Sequence, residues 1–209
     1  MYQTTFFGEK VIDRLIDGSI QCYVVLLLIR RECALDTSLF IEELKIMEDM
    51  VFYMDLLNNV ESIYFLNEPL YHYYINSNSC TQSKDYYKRN MYNIEKVNKH
   101  LKRVFKYSKF YNEKREEKIN TLHANIIVDC FFTMYKQLHK TNLELKQFIE
   151  EVLSNSEMNL LLKSANLKLL PIHLRINMWL ILNKNYNILF IFYKIRNLLS
   201  ELKGLYKKK

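Results

Sequence analysis

The segment K-I-M-E-D-M-V-F-Y-M-D-L-L, residues 45–57, carries the pattern on which the fold prediction rests. Apolar residues cover every side of a helix over residues 50–57, so we expect a largely buried helix that ends at Asn58-Asn59. Glu48 and Asp49 precede it in an apolar setting, where an unpaired ionised carboxylate is costly. In the first turn of a helix, free N–H groups and the helix dipole favour negative charge. Two interpretations therefore stay open, an ordinary acidic helix start or the edge of an active site.

The segments on either side of this helix contain shorter patterns. Residues 4–17 show the apolar spacing of an amphipathic helix. Residues 23–29, Y-V-V-L-L-L-I, form an apolar run too short to span a bilayer, which predicts a buried strand or a buried helix turn. Residues 62–67 and 69–76 are rich in β-branched and aromatic residues. They predict two short strands joined by a tight bend.

The character of the chain changes near residue 84. Three glycines and two prolines in the whole chain are few, so we expect helix to dominate. Helical spacing with charged faces is found in residues 85–107, 113–139 and 142–154, and residues 172–206 predict one or two further helices with a wide apolar face. We therefore predict a mixed α/β part over residues 1–84 and an all-helical extension over residues 85–209.

Cysteine content and charge restrict the class of protein. The four cysteines are widely spaced without a C-x-x-C pair, so we expect free thiols in a reducing cytoplasm and no metal site. The net charge of +7 has its densest cluster at residues 203–209 and favours an anionic partner. Membrane phospholipid fits this charge as well as nucleic acid does. No aromatic–basic stripe or nucleic-acid motif is present, so no nucleic-acid partner is predicted.

A series of short elements surrounds the acidic pair in a characteristic order. The series consists of Leu28-Ile29-Arg30-Arg31, Phe40, Glu48-Asp49, Phe52, Leu56-Leu57, Ile63, Pro69-Leu70-Tyr71, Tyr73, Asn78-Ser79 and Thr81. Over about residues 20–83 this order resembles the C-terminal half of the catalytic domain in bacterial family 2 glycosyltransferases of the GT-A type. Such enzymes build capsule, O-antigen or cell-wall polysaccharide.

The resemblance implies a fold and roles for particular residues. The fold class would be α/β and helix-rich, the C-terminal part of a Rossmann-like GT-A domain with a few short strands, followed by the helical extension. Asp49 would be the catalytic general base, and Glu48 would help to bind the acceptor. Tyr71 and Tyr73 project to one face of a strand and would form an aromatic wall for a sugar, although a core position is an equal alternative. Ser79 would also bind the acceptor.

The resemblance also implies features that the chain lacks. GT-A enzymes carry an N-terminal nucleotide-binding half and a D-x-D motif that holds Mg²⁺ or Mn²⁺ against the donor diphosphate. No D-x-D occurs in the sequence, and no such half precedes residue 20. We therefore expect no cofactor site in this chain, a requirement for Mg²⁺ or Mn²⁺ in the intact enzyme, and an incomplete chain that is inactive alone.

The function expected from the resemblance is sugar transfer in surface polysaccharide biosynthesis. A nucleotide sugar would be the donor, and a glycan or a lipid-linked glycan would be the acceptor. The expected location is the cytoplasm, with peripheral contact at the inner face of the cell membrane. The alternative is a non-catalytic helical protein that binds a partner or an anionic membrane surface.

The last segment, residues 172–209, also permits two interpretations. A helical pair packed on the preceding helices is the simpler one. The other is an interfacial segment at the membrane surface. Its aromatic and aliphatic side chains, Trp179 among them, would lie in the headgroup region, and Arg175, Lys194, Arg196 and the lysine tail would face anionic lipid.

Overall fold

Helices dominate the described part of the chain. The computed structural model describes residues 4–66, 68–72, 74, 86–137 and 142–206. The α-helices are α1 (Gly8–Ile16), α2 (Arg31–Leu35), α3 (Glu48–Asn59), α4 (Tyr86–Lys106), α5 (Glu113–Gln137), α6 (Asn142–Ser154), α7 (Ser156–Ser164), α8 (Ile172–Leu182) and α9 (Tyr186–Tyr206). The strands are β1 (Thr4–Phe7) and β2 (Ser62–Phe65), and single 3-10 turns lie at Val24–Leu26 and Leu167–Leu169.

Residues 48–57 of the segment 45–57 form most of α3. Residues 50–54, Leu56 and Leu57 are all buried, so the helix is covered on every side, as the sequence pattern predicts. Asp55 interrupts this run, and its carboxylate accepts hydrogen bonds from the backbone N–H and the hydroxyl of Ser38, at 2.8 and 2.7 Å. These bonds tie the preceding loop to the middle of α3.

The predicted α/β, Rossmann-like GT-A fold class is wrong. Within the described residues the strands are β1 and β2, which form one antiparallel pair with Thr4 opposite Phe65 and Phe7 opposite Ser62. The described residues of the run 69–76 form no strand, because an extended segment becomes part of a sheet only where a neighbour pairs with its backbone. A Rossmann-like fold requires parallel strands joined through helices, and the described residues contain no such sheet.

The chain divides into two compact units, residues 1–122 and 123–209, and the division falls within α5. In the first unit α3 packs against α1 and α4. Val11 and Ile12 of α1, Leu57 of α3, and Val97 and Leu101 of α4 are among the fully buried side chains of this core. The core therefore lies between three helices, and each contributes an apolar stripe.

The second unit is built from the remainder of α5 and from α6 to α9. Its core includes Phe131 of α5, Ile149 of α6, Met178 of α8, and Leu189 and Tyr193 of α9, each fully or almost fully buried. The ring centroids of Phe131 and Phe148 are 6.1 Å apart in an edge-to-face arrangement, which is the favoured geometry for aromatic pairs.

Candidate functional site

The start of α3 has an unusual backbone. Met47, the N-cap residue, has φ 56° and ψ 15°, which is the left-handed region, and its side chain makes no capping bond. This conformation is unfavourable by roughly 1–3 kcal/mol for a residue with a β-carbon. The backbone N–H groups of Met50 and Val51 both bond to the Met47 carbonyl, at 3.1 and 3.2 Å. The helix therefore begins abruptly, and its first side chains are Glu48 and Asp49.

Asp49 connects the start of α3 to the 3-10 turn at Val24–Leu26. Its Oδ2 atom accepts a hydrogen bond from the backbone N–H of Val24 at 3.2 Å. Glu48 and Asp49 are both half-buried in the first helical turn, where the helix dipole stabilises negative charge. The carboxylate of Asp49 is thus held at one edge by the protein and remains partly open to solvent.

The thiol nearest this pair does not supply a nucleophile. Burial raises the pKa of Cys22, and the negative charges of Asp49 and Glu48 raise it further. Burial likewise raises the pKa of the Cys130 thiol in the second unit to about 12. Both thiols therefore stay protonated near neutral pH, and the thiol form is a poor nucleophile and a poor metal ligand.

Exposed apolar side chains lie in the segment whose backbone binds Asp49. Tyr23, Val25, Leu26 and Leu28 are all more than half exposed, and Leu28 is completely exposed. The run 23–29 is therefore not the buried element that its composition suggests. Because the Val24 N–H binds Asp49, the segment that carries these side chains passes next to the carboxylate at Val24.

An aromatic contact holds the loop before α3 in position. The rings of Phe40 and Phe52 are stacked, with centroids 4.9 Å apart and an angle of 15° between their planes. Phe52 is buried in α3, whereas Phe40 is about half exposed. The loop therefore rests on the helix through one ring while part of that ring faces solvent.

The structure brings together only some of the residues predicted for acceptor binding. Glu48 and Asp49 are adjacent, as the sequence requires. Tyr71 is exposed in the extended stretch after β2, and in the described part of the chain no hydrogen bond joins it to either carboxylate. Tyr73 and Ser79 lie outside the described residues.

The four residues predicted for the membrane surface fall into two pairs. Trp179 and Lys194 are exposed. The Arg175 guanidinium instead donates to the backbone carbonyls of Leu170 and Lys168, at 2.7 and 2.9 Å.

Arg196, the fourth of these residues, is bound within the second unit. Its guanidinium pairs with Asp129 at 3.1 Å and lies 4.0 Å from the centroid of the Phe132 ring. Arg175 and Arg196 thus make protein contacts, whereas Trp179 and Lys194 face solvent.

Helix α9 carries a stripe of exposed apolar residues, within the segment for which the sequence predicts a wide apolar face. Each of its members is more than half exposed: Ile188, Ile191, Ile195, Leu198, Leu199 and Leu202. We call these six residues the α9 stripe. Their spacing of three and four residues is a helical period, so the signal was present in the sequence. The sequence did not reveal which of the two apolar faces of α9 is covered.

The described residues contain no group of three or more His, Cys, Asp and Glu side chains that could hold a metal ion. No helix in the described ranges is both long and apolar enough to cross a membrane. Compared with protein families, curated proteins and solved structures, the chain matches none.

Proposed function

We propose that this chain provides the acceptor side of a sugar-transfer site, with Asp49 as the general base. The donor is a nucleotide sugar, and the acceptor is a glycan or a lipid-linked glycan of a surface polysaccharide, used at the cytoplasmic face of the membrane. One observation carries the proposal: the Asp49 carboxylate is half-exposed at the start of a buried helix and anchored by the Val24 N–H.

This anchoring suits a general base because it fixes orientation without using all of the carboxylate. An ionised carboxylate offers about four acceptor positions, and the Val24 N–H occupies one of them. The remaining positions are sufficient to accept the hydroxyl proton of an acceptor sugar. A base acts only within hydrogen-bond reach of that proton, so a carboxylate fixed on a rigid helix has an advantage over one on a free loop.

The proposed reaction is a single displacement. The acceptor hydroxyl oxygen attacks the anomeric carbon of the donor, and its proton passes to Asp49 as the new glycosidic bond forms. The bond between the anomeric carbon and the nucleotide diphosphate breaks, and the diphosphate leaves with both bonding electrons. Attack opposite to the leaving group inverts the anomeric configuration.

The exposed surface beside Asp49 supports binding of a sugar. Tyr23 precedes the residue that anchors the carboxylate, and its side chain is 54% exposed. Sugars present apolar C–H faces that stack on aromatic rings, while their hydroxyls need polar partners such as Glu48. In this proposal Tyr23 supplies the aromatic contact and Glu48 the polar one.

Acceptor binding tests the proposal on the chain as it exists. Backbone NMR spectra are recorded while a panel of mono- and oligosaccharides is added. We expect at least one saccharide to shift the amide signals of residues 23–25 and 48–51. Asp49→Ala should weaken that binding several-fold, whereas Glu42→Ala, an exposed carboxylate in the loop before α3, should not. If no saccharide shifts these signals, the acceptor-site proposal is rejected.

The alternative function, binding of an anionic membrane surface without catalysis, is favoured by a different observation. The α9 stripe exposes six large aliphatic side chains on one helix of the second unit. The membrane interaction involves none of the residues around Asp49, so the two functions are separable by mutation.

A further inference from the structure

Helix α9 has two apolar faces, of which one is buried and the other is exposed. Tyr186, Leu189, Phe190 and Tyr193 are buried and pack into the second unit. The α9 stripe follows the other side, because successive residues on a helix are rotated by about 100°. A helix that packs into a globular protein through one face normally presents charged and polar residues on the other. The exposed side of α9 departs from this pattern.

The stripe is long and continuous. It runs from Ile188 to Leu202, which corresponds to about 21 Å at a rise of 1.5 Å per residue. Single exposed apolar residues need no explanation, whereas a contiguous apolar patch on a protein surface marks an interaction site. The α9 stripe is a contiguous patch of this kind, because its six members place an apolar side chain on every turn of the helix.

The charges of the chain are divided unequally along its length. Residues 158–209 contain ten Lys and Arg residues and a single acidic residue, Glu201. Residues 1–157 contain twenty Lys and Arg residues and twenty-two Asp and Glu residues. The positive net charge of the whole protein therefore comes from the last quarter of the chain, which includes α9.

One exposed lysine lies at the edge of the stripe, and further lysines follow it in the sequence. Lys194 is exposed and precedes Ile195, a stripe member, so it lies at about 100° from it at the edge of the stripe. Lys203 and the three lysines at 207–209 follow the last stripe residue in the sequence. An aliphatic stripe bordered by lysine is the composition of a helix that lies in the interface of an anionic bilayer.

We propose that the α9 stripe docks onto the surface of an anionic phospholipid bilayer, with the helix parallel to the membrane. The isoleucine and leucine side chains insert at the boundary between headgroups and acyl chains, and Lys194 contacts the headgroups. The charge pattern favours lipid over a second copy of this chain. Two copies joined through the stripe would bring together two segments that each carry ten basic residues and one acidic residue.

Vesicle co-sedimentation tests this proposal with the full chain. Wild-type protein is mixed with vesicles that contain about 30% phosphatidylserine or with vesicles of phosphatidylcholine alone. We expect binding to the anionic vesicles to be at least about tenfold tighter, and to weaken when salt rises from about 0.1 M to 0.5 M. The double variant Ile191→Glu/Ile195→Glu should lose at least about tenfold in affinity, because it places two carboxylates in the stripe.

The matched control is Leu160→Glu. Leu160 in α7 is 68% exposed, belongs to the same unit and lies outside the stripe. Its variant should bind vesicles as the wild type does, and circular dichroism should show equal helix content for all variants. Lys194→Glu tests the charge separately and should weaken binding to anionic vesicles only.

Three results overturn the proposal. One is wild-type protein that does not sediment with anionic vesicles. Another is a double variant, folded by circular dichroism, that sediments like the wild type. The third is a wild-type dimer, seen by light scattering in the absence of lipid, that the double variant converts to a monomer, because a second copy would then occupy the stripe.

Discussion

The guanidinium of Arg115 at the start of α5 holds the Asp13 carboxylate of α1 by two parallel hydrogen bonds. The Nε–Oδ1 and Nη2–Oδ2 distances are both 2.9 Å. Nη2 also reaches Glu9 at 3.0 Å, and Nη1 donates to the Phe110 carbonyl at 3.0 Å. Arg115 is buried, so its charge depends on these partners. The cluster fixes α1 to α5 across a sequence separation of 102 residues.

Replacement of Arg115 by methionine should destabilise the first unit by about 2–4 kcal/mol. The variant leaves Asp13, Glu9 and a backbone carbonyl without the donor that they share, while it retains an apolar stem of similar length. Urea unfolding followed by circular dichroism measures the change. Lys10→Met, at an exposed position of α1, is the matched control and should change the free energy of unfolding by less than about 0.5 kcal/mol. Equal curves for the two variants would show that the cluster contributes nothing.

The same pair should make stability depend on pH. The hydrogen bond from Arg115 is the main cause that lowers the pKa of Asp13 below its ordinary value of 3.8. The group therefore adds stability that is fully present above pH 3.8 and is lost as pH falls through the lower, folded-state pKa. We expect wild type to be more stable than Asp13→Asn at neutral pH. The difference in free energy of unfolding should shrink as the pH falls below 3.8. A difference that stays constant with pH would contradict this assignment.

Asp49→Asn separates the proposed catalytic role from a structural one. The asparagine side-chain oxygen still accepts the Val24 N–H, so the variant should fold with nearly unchanged stability. It does not accept a proton, however, and loss of a general base reduces rates by about 10²–10⁴. In the cell that encodes the protein, this variant should alter the surface glycan as deletion of the gene does, at a normal protein level.

Glu42→Gln serves as the control for that experiment, because Glu42 is exposed in the loop before α3. It should leave the glycan unchanged. Glycan composition that is the same in the deletion strain and the parent would reject sugar transfer as the function. A normal glycan with Asp49→Asn, but not with the deletion, would remove Asp49 from the role of base.

Two adjacent residues of α9 test its orientation. Leu189 is fully buried, and Ile188 is 56% exposed. Leu189→Ala should lower the free energy of unfolding by about 2–5 kcal/mol, because it leaves a cavity in a packed core. Ile188→Ala should change it by less than about 0.5 kcal/mol. Comparable losses at both positions would mean that both faces of the helix are covered in solution.

Local patterns predicted much of the helical structure. Complete apolar coverage predicted that α3 is buried, and the predicted end at Asn58-Asn59 agrees with the observed end at Asn59. Helical spacing over residues 142–154 matches α6, whose ends are the same. These predictions succeeded because burial and termination of a helix depend on residues within a few turns of each other.

The errors concern relations between distant segments. Residues 4–7 were assigned to a helix, but they form β1, because β2 about sixty residues later supplies the pairing backbone. The run 23–29 is apolar on all sides, so the sequence does not indicate which of its side chains pack against the core. The sheet of the predicted fold class was inferred from the resemblance and from two β-rich runs, and pairing of those runs with other strands has no local signature.

The same limit applies to the candidate site. The acidic pair was recognisable as a helix start, whereas its anchor, the Val24 N–H, is a backbone group 25 residues away and leaves no trace in residue type. Arg196 differs from Asp49 in this respect. A basic residue near the end of the chain suggests lipid contact, but the Arg196 guanidinium pairs with Asp129 and lies over the ring of Phe132.

The left-handed backbone at Met47 restricts which residues are tolerated at that position as homologous chains diverge. Glycine adopts a φ of 56° without a steric penalty, and asparagine does so at low cost, whereas a methionine must be held there by its surroundings. Chains that share this abrupt helix start should therefore carry glycine or asparagine before the acidic pair more often than methionine. A β-branched residue should be rare there, because its second γ-substituent conflicts with that backbone. The residue types found at position 47 in homologous chains would then show how strictly the left-handed backbone before Asp49 is conserved.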